Sequence, residues 1–453
     1  MHLLLLALLL PLAAADVRAR NTVVTWAVRS GAHSFWWLYA VDQPKADRPL
    51  FLWLQASTSL SPLITHCTLQ GGPGSSGVSF GNFEETGPKD QYEKDRQSTW
   101  LQVGDLVFVD NPVGTGFSYV DSADKYTRTV ADIGQVPSPP FPSVVPSQDL
   151  LTWAVDFFGK HPEYRSRPFY IVCESYGGKM TAEFARVLYL AVKSGLIPLQ
   201  KFKGIGLGDS WISPMDFSYL DDQQLDTVNA QAAECQSLVD KGKWSAATDC
   251  WSETENVVGF VSRPSPPSSP PLPPTPLLQL TGGVSWYNVL KSSDQDDWSM
   301  KHRETNRVED VPKKKTPVGE DSLPSPIPPP PPEKLYDNHV RPFMLHALND
   351  YMNTVIRKKL GIIPDNGFAV FDYQSGDFMR PNYDTVDTLL GYGLQVTVFN
   401  GQLDLICDTI GAEKWINRLK WTGLNNFKKA DKVAHDTEES GLYVLQQLIK
   451  QSN

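Results

Sequence analysis

Hydrophobic positions along the chain fall into short runs punctuated by glycine, proline and charge. Thr22 to Val28 and Ser34 to Val41 read as paired strands, and Leu50 to Leu54 is an unbroken apolar run heading for a glycine-rich turn. Phe169 to Cys173 is aromatic, β-branched or apolar at every position, the pattern of a strand covered on both faces. Met180, Phe184, Val187, Leu188 and Ala191 then recur at helical spacing as far as Gly195, a C-terminal stop. Phe202 to Leu207 reads as another buried strand, and the α/β pattern returns with Val355 to Leu360 and then with Leu394 to Phe399, a strand leading to Asn400. Strands ending near Leu54, Asp110, Cys173, Leu207 and Asn400, alternating with helices, predict an α/β fold: one mostly parallel central sheet with helices on both faces.

The passage from strand to helix is abrupt, and its apex is Glu174-Ser175-Tyr176-Gly177-Gly178. A serine held on such a turn resembles the nucleophile elbow of α/β-hydrolases, Gly-x-Ser-x-Gly, with Cys173 here at the first glycine. Taken alone, these residues equally describe a strand–helix connection that happens to contain serine. Asp404 follows the strand that ends at Asn400, after the serine in chain order, where that fold puts a third triad member.

At 453 residues the chain exceeds the usual size of a single core, so a large domain with an insertion, or two domains, is expected. With 41% hydrophobic residues it is globular, and a net charge of -10 argues against nucleic acid as a partner. Leu3 to Ala15 is apolar, too short to span a bilayer, and ends in small residues. It is expected to be a cleaved signal peptide (residues 1–15), and no other segment is apolar enough to cross a membrane. The expected setting is therefore secreted or lysosomal. Of five cysteines, Cys235 and Cys250 flank a short polar stretch and are the expected disulfide pair, worth about 3 kcal/mol by loop closure. Cys173 and Cys407 sit in apolar runs as buried thiols.

Five motifs in order make a specific likeness. Trp53-Leu54-Gln55, the turn Gly71-Gly72-Pro73-Gly74-Ser75-Ser76, Glu85-Thr86-Gly87-Pro88, Asn111-Pro112-Val113-Gly114-Thr115-Gly116-Phe117-Ser118-Tyr119 and Glu174-Ser175-Tyr176-Gly177-Gly178 together resemble the serine carboxypeptidases. The resemblance covers Asn21 to about Lys432 and implies an α/β-hydrolase fold carrying a cap insertion. It implies Ser175 as nucleophile and Asp404 as the carboxylate orienting a base. The N–H groups of Gly72 and Tyr176 match the family's oxyanion donors. Trp53, Gln70 or Gln55, Glu85 and Glu174 match the residues that hold a substrate's C-terminal carboxylate, with the two glutamates sharing a proton and so favouring acid pH. The implied partners are peptide or protein C-termini; a homodimer is left open. Neither a metal nor a cofactor is expected.

Departures from the family set further expectations. Core segments 16–216 and 343–432 carry insertions at 56–70 and 134–147, the first separating Gln55 from the glycine turn with Gln70 at its far end. Residues 217–342 form the cap region, with proline-rich runs at Arg263 to Pro276 and Pro324 to Glu333 expected to be disordered. Residues 433–453 form a divergent tail. No histidine stands in the family's Gly-His-Met-Val-Pro-like setting, and His435, in a polar stretch, is a poor match for the base. The chemistry implied is removal of C-terminal amino acids through an acyl-enzyme, impaired by the missing base. The alternatives are an inactive carboxypeptidase-fold binding or protective protein and a misspliced product of an active gene.

Overall fold

The computed structural model describes residues 19–42, 47–55, 72–134, 149–213, 222–259, 348, 351–360, 370–401, 404, 406–430 and 440–451. The expected signal peptide, the 56–70 insertion with Gln70, nearly all of the 134–147 insertion, the proline-rich runs and His435 lie outside them.

Among the described residues, eight strands form one sheet: β1 (Ala19–Arg29), β2 (Ala32–Val41), β3 (Leu50–Leu54), β4 (Asp105–Val109), β5 (Tyr119–Val120), β6 (Phe169–Ser175), β7 (Phe202–Ser210) and β8 (Gln395–Phe399). Their order is β1-β2-β4-β3-β6-β7-β8, with β5 beside β2. The β1–β2 hairpin and the β2–β4 and β2–β5 pairs are antiparallel, whereas β4, β3, β6, β7 and β8 run parallel. The expected mostly parallel sheet is present, and its C-terminal edge collects the ends of β3, β6, β7 and β8.

The unbroken apolar runs make sense because both faces are covered. Alternate residues of the central strands face opposite ways. On one side Trp36, Leu52, Val107 and Ile171 meet the helices Asp149–Lys160 and Gly177–Lys193 through Trp153, Phe157, Phe184 and Leu188. On the other, Trp37, Phe51, Phe108 and Tyr170 meet Phe80 and Phe83 of the helix Gly77–Thr86, and Leu445 and Leu448 of the helix Ser440–Gln451. Burying side chains of this size stabilises by about 1.5–3 kcal/mol each.

Beyond β7, the helices Asp222–Asp240 and Trp244–Gly259 pair through the expected Cys235–Cys250 disulfide. The second leans on the helix Val370–Phe378, with Trp251 and Phe378 ring centroids 4.7 Å apart and Thr248 Oγ1 donating to the carbonyl of Ser375 at 2.7 Å. Among the described residues, no helix is long and apolar enough to cross a membrane.

Candidate active site

The last residue of β6 is Ser175, and its φ of +55° lies in the left-handed region that non-glycine residues avoid. Such a conformation costs about 1–3 kcal/mol and persists only where the surroundings enforce it. Here a buried strand on one side and the helix Gly177–Lys193 on the other leave the chain a single sharp turn in which to change direction. Asp209, near the end of the neighbouring β7, is also left-handed with φ +36°.

A second group of side chains gathers at the ends of β3 and β6. Gln55 is buried at the end of β3, accepts a hydrogen bond from Trp53 Nε1, and donates through Nε2 to Glu174 Oε2 at 3.1 Å and Glu85 Oε1 at 3.4 Å. Gln55, which the motif left open beside Gln70, thus links Trp53, Glu85 and Glu174. Burial, followed by the charge of Glu174, holds the Glu85 carboxyl well above the usual carboxylate range. Glu85 Oε2 is buried with no hydrogen-bond partner among the described residues. A neutral carboxyl with a spare oxygen can donate to an incoming carboxylate that an ionised one would repel. A β-carbon on Gly81 would come within 2.3 Å of Trp53 Nε1, so the bare glycine is what lets this indole seat itself.

The glycine turn is anchored from below. Asp110, buried just past β4, accepts from Ser76 Oγ at 2.6 Å, Val78 N at 3.1 Å and Phe117 N at 2.8 Å, joining the turn to the Asn111–Tyr119 segment. Gly72 is buried at the start of that turn, and Tyr176 is buried directly after the serine.

Asp404 lies past β8 and accepts at Oδ1 from the N–H groups of Ile406 and Cys407. Burial first, then the charge of Asp209, raises its carboxyl well above the usual range. Asp209, pushed up to about 7 by burial and by Glu174, had no part in the sequence expectation. Cys407 follows, its thiol held neutral by burial and then by the charge of Asp404, with Ser175 near enough to act on it. The described histidines are engaged elsewhere: His33 stacks on Tyr119 and pairs with Asp121, and His161 contacts Glu163 and packs on Trp36 and Phe157.

The serine carboxypeptidase family model matches residues 23–448. The chain belongs to the serine carboxypeptidase family. It is 38% identical to the mouse retinoid-inducible serine carboxypeptidase, across 94% of this chain and 85% of that protein. It is 34% identical to serine carboxypeptidase-like 51 of Arabidopsis thaliana, across 89% and 80%. Among solved structures, the prohormone-processing carboxypeptidase of Saccharomyces cerevisiae superposes with a TM-score of 0.56 at 19% identity, across 89% of this chain and 78% of that one, a likeness of fold.

Within this serine carboxypeptidase fold, the motif residues Trp53, Glu85, Glu174 and Ser175 converge on two adjacent strand ends, and Asp404 stands two strands away, beyond β7. Asp209 and the Cys407–Ser175 contact had a faint signal in sequence at most. Asp209 follows an apolar strand, as Asp404 does, but nothing local says that the two carboxyls will meet.

Proposed function

We propose that this site takes the free C-terminus of a peptide, with Trp53, Gln55, Glu85 and Glu174 holding the terminal carboxylate beside Ser175. What carries the reading is the buried Gln55 bonded to two glutamates, one of which is pushed toward its neutral form. Lipases and esterases have no use for such a group; an exopeptidase does. Ser175 Oγ then forms an ester with the scissile carbonyl carbon, and the C-terminal amino acid leaves as an amine that gains a proton. Water hydrolyses the ester to release the shortened peptide and restore the hydroxyl. The N–H groups of Gly72 and Tyr176 are the proposed donors to the oxyanion, and Asp404 the orienting carboxylate. Because binding favours a protonated Glu85, the reaction belongs to acid pH. An acidic compartment of the secretory or lysosomal route, reached by way of a cleaved leader, fits that requirement.

The Ser175 proton needs an acceptor, and in this sequence no histidine has the family's setting. Loss of the triad histidine in a serine protease costs on the order of a million-fold in turnover. We therefore place hydrolysis by this chain at a trace rate. A second reading, a carboxypeptidase scaffold that holds peptide termini without cutting them, is favoured by the group beside Ser175 being the neutral thiol of Cys407, which is no base. Release of the C-terminal residue from a blocked dipeptide at about pH 5 separates these readings, with Ser175→Ala as the control. Slow turnover that vanishes in the variant supports the first reading, and binding without turnover supports the second. Turnover near ten per second, the common enzyme rate, would require a histidine base, His435 being the first candidate.

A further inference from the structure

One helix touches both proposed oxyanion donors from behind. Asp377, at 1% side-chain exposure on the helix Val370–Phe378, accepts at Oδ2 from Tyr176 Oη at 3.0 Å. The same oxygen pairs with Lys179 Nζ at 3.1 Å and takes the N–H of Val130 at 3.4 Å. Lys179, one turn into the helix after Ser175 and equally buried, also donates to the carbonyls of Asp377 and Phe378. Phe378 stacks on Tyr176 with ring centroids 5.7 Å apart, and Trp211 Nε1 fixes its carbonyl at 3.1 Å. Two turns earlier on the same helix, the Phe371 ring lies flush on Gly72: a β-carbon there would stand 1.8 Å from it.

We propose that the helix Val370–Phe378 is the brace of the oxyanion site, with Asp377 holding Tyr176 and Phe371 holding Gly72 as positioning residues. The inference rests on the assignment of Gly72 and Tyr176 as donors. Two N–H groups on separate segments of the chain stabilise an oxyanion only if their spacing is kept. A rigid element bonded to both supplies that spacing. The buried Lys179–Asp377 pair makes the attachment on the Tyr176 side directional, because leaving either charge unpaired in this interior is strongly unfavourable. On the Gly72 side the attachment is steric: any side chain at 72 would displace the ring, and loss of the ring would leave the turn unsupported.

A blocked depsipeptide, with an ester in place of the scissile amide and a free C-terminal carboxylate, tests the brace at about pH 5. Its better leaving group brings slow turnover into range. The variants are Tyr176→Phe, which removes only the hydroxyl bonded to Asp377, Phe371→Ala and Phe371→Leu. A displacement of about 1 Å at a reacting centre costs on the order of a hundredfold. Tyr176→Phe and Phe371→Ala are therefore expected to lower kcat about tenfold or more per folded molecule, with KM unchanged because Gln55 and its partners are untouched. Phe371→Leu should recover much of the loss. A purely structural role would lower Tm and leave kcat per folded molecule intact, and values within twofold of the parent for both variants would overturn the proposal. Ser175→Ala separates the two levels. If it abolishes turnover while the brace variants do not alter kcat, only the brace is wrong; if it retains the parent rate, the site assignment and the brace fall together.

Discussion

The carboxyls of Asp209, the penultimate residue of β7, and of Asp404, past the end of β8, lie close enough to act on one another. The N–H of Gly401 donates to Asp209 Oδ1 at 2.6 Å, and those of Ile406 and Cys407 to Asp404 Oδ1 at 2.8 and 3.1 Å. Backbone donors thus hold one oxygen of each carboxyl, and burial with like charge favours a proton between the two groups. Asp209 rises to about 7 from burial and the nearby Glu174.

A carboxyl whose folded value lies above its unfolded one, near 3.9, binds a proton in the native state that the unfolded chain has released. Such a group costs no stability below the unfolded value and lowers stability progressively as pH rises toward the folded value. Tm should accordingly fall between about pH 4 and the value of about 7 reached by Asp209. Asp209→Asn keeps an acceptor for Gly401 and removes the charge, so it should flatten that slope and leave the variant more stable than the parent at pH 7. Thermal unfolding followed by circular dichroism at pH 4, 5.5 and 7 checks this; parallel slopes would contradict it.

Binding of a free C-terminus should follow the proton on Glu85, whose carboxyl is held above its ordinary range by burial and then by Glu174. Affinity for a blocked amino acid with a free carboxylate should be highest in acid and fall as pH rises. The lost hydrogen bond to a charged group is worth about 1.5–3 kcal/mol, or roughly tenfold to a hundredfold in Kd. Glu85→Gln always carries an N–H and should bind with little pH dependence. Calorimetric titration from pH 4.5 to 7.5 reads both, with the C-terminal amide as the control that should bind weakly throughout. An amide that binds as well as the acid would remove the carboxylate-recognition role.

Asp105, buried at the start of β4, accepts from Arg48 Nε at 2.7 Å, Arg167 Nη1 at 3.0 Å and Tyr164 Oη at 2.9 Å. Both arginines are themselves largely covered, with side-chain exposures of 13% and 10%, so Asp105→Ala leaves two charges without their counter-charge. The expected loss is about 3–5 kcal/mol, far from the site. Urea unfolding gives the value, and a change below 1 kcal/mol would show that water replaces the carboxylate there.

The Cys235–Cys250 bond closes a separation of 15 residues between the paired helices beyond β7. Replacing both cysteines with serine should lower stability by about 3 kcal/mol on the loop-closure account. Because the second of these helices leans on Phe378 through Trp251, kcat on the depsipeptide should fall with it while carboxylate binding holds. Differential scanning calorimetry and the same titration measure the two effects. An unchanged Tm would mean that helix packing alone holds the pair.

Local pattern alone told where the central strands run, because a strand buried on both faces must be apolar at every position: Phe169 to Cys173 and Leu50 to Leu54 are strands for that reason. The turn at Ser175 was legible for a related reason, since strand-then-helix with no room between them leaves only a sharp turn. Motif order likewise brought out Trp53, Glu85 and Glu174. The tertiary structure decided which partners meet. Gln55 joins two glutamates lying 30 and 119 residues away, Asp209 meets Asp404 across 195 residues of chain, and Asp377 reaches Tyr176 from a helix 201 residues on. Hydrophobic periodicity reports which face of an element is buried. It does not report which polar groups share the buried space, and that depends on the order and register of strands set by the packed sheet as a whole.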